Sequence, residues 1–211
     1  MNIGILNPGK MGVVIAQSMI NGGQDVYWIS AGRSDATRQR AESAGLHELT
    51  SAADMIDTCQ AIVSVCPPHA AVDVAEMVIA AGFKGLYVDA NAIAPRTTKH
   101  IGELMAAAGN EYVDGGIIGL PPTERNQSWL YLSGPKAETV AEWFKNGLHE
   151  VQVINDQIGA ASGMKMCYAA NTKGTNALVT AIMAGAAEMG VLDNLFEMCI
   201  KNENITIEQA Q

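Results

Sequence analysis

A chain of 211 residues that is 48% hydrophobic and 17% charged has enough apolar material for one packed domain and part of another. Its net charge of −9 and pI near 4.8 argue against nucleic acid or an anionic membrane surface as partner, because both call for a basic face. The four cysteines, Cys59, Cys66, Cys167 and Cys199, show no CxxC or Cys/His ligand spacing, so they are expected to be buried, reduced thiols of a cytoplasmic protein without a metal site.

The chain opens on a short apolar run, Asn2 to Leu6, of the kind a buried parallel strand needs. Asn7-Pro8-Gly9 breaks it, and from Lys10 on Met11, Val14, Ile15, Ser18, Met19 and Gly22 fall at helical intervals. Strand, glycine turn and helix N-terminus in succession outline a pyrophosphate site, since the first amides of a helix and its dipole favour an anion. The spacing is Asn7-x-Gly9-x-x-Gly12, whereas the dinucleotide fingerprint has glycine at all three places. Asparagine is the residue that best tolerates the left-handed conformation expected at position 7.

Val26 to Ile29 reads as a second strand, ending in the turn Ser30-Ala31-Gly32-Arg33-Ser34. An NAD site places an acid at this strand end, while a nearby arginine accommodates a 2′-phosphate. Here no acid occurs before Asp35, and Ser30, Arg33, Ser34 and Arg38 favour NADP over NAD; the bland alternative is a solvated Arg33. Asp35 to Ala44 reads as a helix closed by Gly45, and Ser51-Ala52-Ala53-Asp54 as a capping box. Ala61 to Cys66 must be a central strand, ended by Pro67-Pro68 and followed by a helix to Gly82 and a strand Leu86 to Asp89. This alternation is that of a parallel sheet with helices on both faces, whose ligands bind at the carboxyl ends of the strands. Topology alone therefore brings Cys66, Pro67 and Asn91 to the mouth of the site. His69 lies there too, and is read as a surface or helix-start residue.

Tyr112-Val113-Asp114 is expected to be a strand leading into a glycine-rich loop, Gly115 to Pro122, which is either merely flexible or a substrate loop containing Ile118 and Gly119. Trp129 to Leu132 reads as a strand, Ala137 to Gly147 as a helix and Val151 to Ile154 as a strand. From Ile158 an uninterrupted helix-compatible stretch runs to Met189, which places a domain boundary between residues 156 and 157. At 100° per residue Ser162, Lys165, Tyr168, Thr172 and Asn176 share a polar stripe, and their apolar neighbours suggest a mostly buried, site-lining face. Gly190 to Lys201 gives one more helix, and Thr206-Ile207-Glu208-Gln209 resembles a capping box. A long apolar helix with so few local partners predicts a homodimer or a trimmed product. The start lacks a charged n-region, and no uncharged stretch reaches the roughly 18–20 residues of a membrane span, so no membrane partner is expected.

These motifs resemble a known family. The opening strand–turn–helix with Met11-Gly12, the strand-end Asp89-Ala90-Asn91-Ala92-Ile93-Ala94-Pro95, the segment Asp114 to Gly119, and Gly159-Ala160-Ala161-Ser162-Gly163-Met164-Lys165 are similar in order and spacing to the β-hydroxyacid dehydrogenase and 6-phosphogluconate dehydrogenase superfamily, in a phosphogluconate-dehydrogenase-like branch. The resemblance implies a Rossmann-type, doubly wound, mainly parallel α/β sheet over residues 1–156, followed over 157–211 by a long helix and part of an all-α domain. It implies that Gly9, Lys10 and Met11 hold the cofactor pyrophosphate, with Asn7 and Pro8 in the same turn; Ser30, Arg33 and Ser34 at the second strand end, and Cys66, Pro67 and Asn91 at the mouth of the site, are expected at the cofactor from their place in the chain. It further implies Asn91, Ile118, Gly119 and Lys165 around a small-molecule substrate, and Lys165 as the general acid/base. Asn91-Ala92 replaces the family's Ser-Thr, Ile118 its loop serine, and Tyr168-Ala169 stands where an asparagine usually follows the lysine. The expected activity is NADP-dependent hydride transfer to or from a small hydroxy or keto compound. The alternatives are reduction of a C=N bond with Tyr168 as donor, or nucleotide binding without turnover.

Overall fold

The computed structural model describes residues 1–125 and 127–201; the capping box expected at Thr206 to Gln209 lies outside them. Residues Met1–Met166 form one compact unit and the chain from Cys167 a second.

In the first unit, eight strands make one sheet in the order β3-β2-β1-β4-β5-β6-β7-β8. They are β1 (Asn2–Ile5), β2 (Asp25–Ile29), β3 (His47–Leu49), β4 (Ala61–Ser64), β5 (Leu86–Asp89), β6 (Glu111–Gly119), β7 (Ser128–Ser133) and β8 (Glu150–Asn155). The first six strands are mutually parallel; β7 runs antiparallel to β6, and β8 parallel to β7. Helices α1 (Lys10–Asn21), α2 (Asp35–Ser43), α3 (Ala52–Thr58), α4 (Ala71–Ala80), α5 (Pro95–Ala107) and α6 (Ala137–Ala141) make the connections. Alternate strand residues feed two cores. Ile3, Ile5, Val63 and Val88 join Ile15 and Met19 of α1, whereas Ile62, Tyr87 and Tyr112 join Met55, Val78, Ile101 and Met105. The chain winds outward from β1 through β2 to β3, then crosses to β4 on the other side of β1. The order therefore reverses between β1 and β4, and ligands of open α/β sheets bind at such a switch point.

Apart from α5, for which no helix was named, the expected elements recur with four differences. The three-residue β3 was not foreseen, because His47-Glu48-Leu49 is too short and too polar to show a strand period. The residues from Gly115 to Gly119 are not a loop but the second half of β6, and the sheet buries all of them except Gly119. Their glycines serve close packing: a Cβ on Gly115 would lie 3.2 Å from the Ala90 Cα, and one on Gly116 2.8 Å from the Ala161 carbonyl oxygen. The helix expected over Ala137 to Gly147 is the short α6 plus a 3₁₀ turn, Glu142–Phe144. The capping box at Ser51 forms as read, with Asp54 N donating to Ser51 Oγ and Ser51 N to Asp54 Oδ2.

The fourth difference is the long helix. It is α7 (Ala160–Ala169), a π-helical stretch Ala170–Gly174, and α8 (Thr175–Glu188), so the α ladder is interrupted where a continuous helix was expected. Within the second unit α9 (Leu192–Lys201) turns back from α8 through Gly190, at φ 69°. The segment around Lys165 is not the mostly buried one its apolar neighbours suggested, since Met164, Cys167, Tyr168 and Ala170 are exposed; among residues 167–201 only Val179 and Ala186 are buried, while Leu178, Ile182, Met189, Met198 and Ile200 stand exposed. Of the cysteines, Cys59 alone is buried; all four are free thiols, and Cys167 is exposed. No helix among the described residues is long and apolar enough to cross a membrane.

Candidate functional site

At the switch point the turn from β1 into α1 is built by a carbonyl rather than by a left-handed residue. Asn7 does not take positive φ; among the described non-glycine residues only Asn146 does. Instead the Asn7 carbonyl accepts the Gly9 amide at 2.8 Å and lies 2.1 Å from where a Cβ on Gly12 would stand. Gly12 is thus the glycine that lets the helix meet the strand. Gly9 has nothing within 4 Å of an added Cβ, and as N-cap of α1 it offers no side-chain cap. The start of α1 is therefore uncapped by any side chain and uncrowded at Gly9, the condition a pyrophosphate needs to approach the backbone.

Beside this turn the end of β2 carries Ser30, which is buried, and no carboxylate. Arg33 reaches across, its Nη2 donating to the Leu6 carbonyl at 3.0 Å, so its guanidinium lies against the end of β1. Ser34 is the N-cap of α2 and its hydroxyl is 3.1 Å from Thr37 Oγ1. Arg38 is engaged by the Ser30 carbonyl at 2.9 Å and by Glu48 at 3.3 Å.

The ends of β4 and β5 are tied together by Asn91. Its Oδ1 accepts the Cys66 amide at 2.5 Å, its Nδ2 donates to Ser64 Oγ at 3.2 Å, and its own amide donates to Asp89 Oδ1 at 2.9 Å. The expected ligand contact from Asn91 thus meets a carboxamide already used inside the protein, which shapes the Cys66-Pro67 turn. Burial raises the Cys66 thiol above its ordinary range. Burial also pushes Asp89 up to about 7, since Oδ2 has no hydrogen-bond partner among the described atoms and the neighbouring Asp114 adds its charge.

Asp114 is the carboxylate that sequence reasoning passed over. It pairs with Asp89 in register across β5 and β6 and is 1% exposed. Thr98 and Ser162 hydroxyls donate to its Oδ1 at 3.1 and 2.6 Å, and the Ser133 hydroxyl and the Gly159 and Ser162 amides to its Oδ2 at 3.1, 3.0 and 3.0 Å. Ser162, expected to line the site, is spent in this network. The available signal was an acid closing an apolar strand in Tyr112-Val113-Asp114, where an unpaired charge is too costly to bury.

Two residues along β6, Gly116 lies beyond the level at which β5 ends. A Cβ there would be 3.2 Å from the Cβ of Lys165, so the half-buried lysine is seated against β6 just past the level at which β5 ends. Ile118 is 3% exposed and pairs with Trp129; Gly119, at φ 116°, is exposed at the strand end. Tyr168, on the next turn of α7, is 43% exposed.

An open dinucleotide turn at the switch point of a doubly wound sheet defines a nucleotide-binding α/β domain. Residues 2–144 match the family model described as the NAD binding domain of 6-phosphogluconate dehydrogenase, and the chain belongs to that family. A nicotinamide dinucleotide is the cofactor of this domain, and the uncapped α1 start and open Gly9 fit its pyrophosphate. An uncharacterised 28.5 kDa protein of Methanothermus fervidus is 27% identical over 203 residues, covering 96% of this chain and 78% of its own. Among solved structures, a conserved protein of unknown function reported as similar to 3-hydroxyacid dehydrogenases superposes with a TM-score of 0.81 at 27% identity, covering 100% of this chain and 80% of that one. An imine reductase of Myxococcus stipitatus, in complex with NAD+, shares the fold at a TM-score of 0.78 and 17% identity, covering 97% and 72% of the two chains.

Proposed function

We propose that the protein is an NADP-dependent oxidoreductase acting on a small hydroxy or keto compound, with Lys165 as general acid/base. The observation that carries this reading is the seat of Lys165 against Gly116, just past the ends of the parallel strands. The cofactor, when bound, supplies the hydride chemistry. The chain's part is to bind and orient. Gly9, Lys10 and Met11 at the open start of α1 would hold the pyrophosphate, with Asn7 and Pro8 shaping the turn. Ser30, Arg33 and Ser34 would meet the 2′-phosphate at a strand end without a carboxylate to repel it. Cys66 and Pro67 would border the nicotinamide, Asn91 acting through the Cys66 amide. Gly119 leaves room at the strand end above the packed Ile118, and Lys165 gives a proton to the substrate oxygen, or takes one from it. The exposed apolar side chains Leu178, Ile182, Met189, Met198 and Ile200 support a homodimer.

A second reading is reduction of a C=N bond with Tyr168 as donor, favoured by the exposure of Tyr168 on the turn after Lys165 and by the shared fold of an imine reductase. NADPH consumption measured with a panel of ketones, keto acids and imines decides between them. Under the first reading Lys165→Met lowers turnover by about 10² to 10⁴ and leaves NADPH affinity nearly unchanged. Activity retained by Lys165→Met but lost by Tyr168→Phe replaces the first reading with the second, and no turnover with any member of the panel overturns both.

A further inference from the structure

We infer that Asp114 is a positioning residue for Lys165: it seats the first turn of α7 on β6 and so sets the depth and rotation at which the lysine meets the sheet edge. The inference rests on the reading of Lys165 as the proton-transfer group. A helix leaves its first amides without internal acceptors, and in α7 each has a partner. Gly159 and Ser162 donate to Asp114 Oδ2, Ala161 donates to Ser133 Oγ at 2.9 Å, and Ala160 donates to the Gln157 carbonyl at 3.2 Å. Ser133 in turn donates to Asp114, so three of these four amides converge, directly or through one hydroxyl, on a single carboxylate.

Rotation follows from the same bonds. Ser162 meets Asp114 with both its amide and its hydroxyl, which fixes one face of the helix against β6. Lys165 is three residues on, hence on that same face one turn later. Asp114 and Gly116 are likewise two residues apart on one face of β6. The face bearing Ser162 and Lys165 therefore runs along the face bearing Asp114 and Gly116, and the missing Cβ at 116 sets how closely they approach. Behind Asp114, Thr98 Oγ1 lies 2.6 Å from the Tyr112 hydroxyl, which braces the carboxylate from α5 and β6. A buried carboxyl group that accepts five hydrogen bonds, beside Asp89, is fixed in orientation. A shift of about 1 Å in a group that must meet a reacting atom can cost about 10²-fold in rate, so a seat this specific has a catalytic consequence.

Asp114→Asn tests it. An amide nitrogen in the Oδ1 position faces only the Thr98 and Ser162 hydroxyls, which can turn, so the chain can still fold while the grip on Ser162 weakens. The folded variant is expected to lose about tenfold or more in kcat, with KM and NADPH affinity within about twofold. In protein labelled with ¹³C-lysine, the signal absent from Lys165→Met is expected to move and to titrate at a different pH in Asp114→Asn. Added to Lys165→Met, the change is expected to cost nothing further in turnover. Should Asp114→Asn fail to fold, Ser162→Ala removes the 2.6 Å bond alone and is expected to give the same signature at smaller size. An unmoved Lys165 signal in whichever of these variants folds overturns the inference, as does an undiminished loss on top of Lys165→Met. Full turnover by Lys165→Met would instead remove the lysine reading, while the Lys165 signal would still report whether Asp114 seats it.

Discussion

Two helices start at the same edge of this sheet, and they are finished in opposite ways. The first turn of α7 is closed by Asp114 and Ser133, while that of α1 begins at Gly9 with no side-chain cap. Both leave their first amides without acceptors inside the helix, and both have the same dipole. Where the protein supplies the anion itself, the helix becomes a fixed support; where it supplies glycine, the helix end remains available to an anion from outside. A helix N-terminus is thus a site only when the sequence declines to cap it.

The largest effect should come from opening the closed end. Asp114→Ala leaves two amides and three hydroxyls without their acceptor in a buried place, and is expected to cost about 3 kcal/mol or more, read by urea unfolding. A loss below about 1 kcal/mol would mean that water replaces the carboxylate and that the two helix ends differ little.

The far end of α1 offers the next test, since an uncapped helix must be held elsewhere. Ser18 accepts the Leu148 amide at 3.2 Å and lies 2.9 Å from His149 Nδ1, an arrangement that suits a neutral imidazole. Burial pulls His149 down to about 4 from an ordinary 6.5. The unfolded chain therefore takes up a proton between these values that the folded chain refuses. Stability tied to this histidine is complete above pH 6.5 and falls as the pH drops toward 4, by up to about 3 kcal/mol. Hydrogen exchange at pH 5 should show α1 losing protection before the first turn of α7, and His149→Gln should flatten the slope. Equal loss in both helices would mean that His149 does not anchor α1 separately.

The glycines at the open end separate packing from binding. Gly12→Ala drives a Cβ into the Asn7 carbonyl and is expected to destabilise by about 1–3 kcal/mol. Gly9→Ala meets nothing, so stability should change by less than about 1 kcal/mol while NADPH binding, followed by fluorescence, weakens at least tenfold. Unchanged binding would remove the anion from the start of α1. The smallest effect concerns cofactor choice: Arg33→Ala is expected to weaken NADPH about tenfold and leave NADH nearly unaffected. Equal binding of the two cofactors by the parent protein would refute that selectivity.

Sequence by itself determined the doubly wound core, because β-branched runs such as Ala61 to Cys66 and the punctuation at Asn7-Pro8-Gly9 are local signals of strand and turn. It determined the Ser51 cap and the strand, turn and helix at Asn7-Pro8-Gly9 for the same reason: both depend on residues within one turn of one another. Other features were decided only by tertiary structure, because the partner of each lies far along the chain. Gly115 and Gly116 read as a loop until Ala90 and Ala161 are seen to need their missing side chains. Asn91 reads as a ligand contact until Cys66 and Ser64 claim its carboxamide. Ser162 reads as a site lining and Asp114 as the end of a strand, until a distance of 48 residues in sequence becomes a 2.6 Å hydrogen bond. Periodicity reports which face of an element is apolar; which buried polar group meets which is settled only when the sheet brings them together.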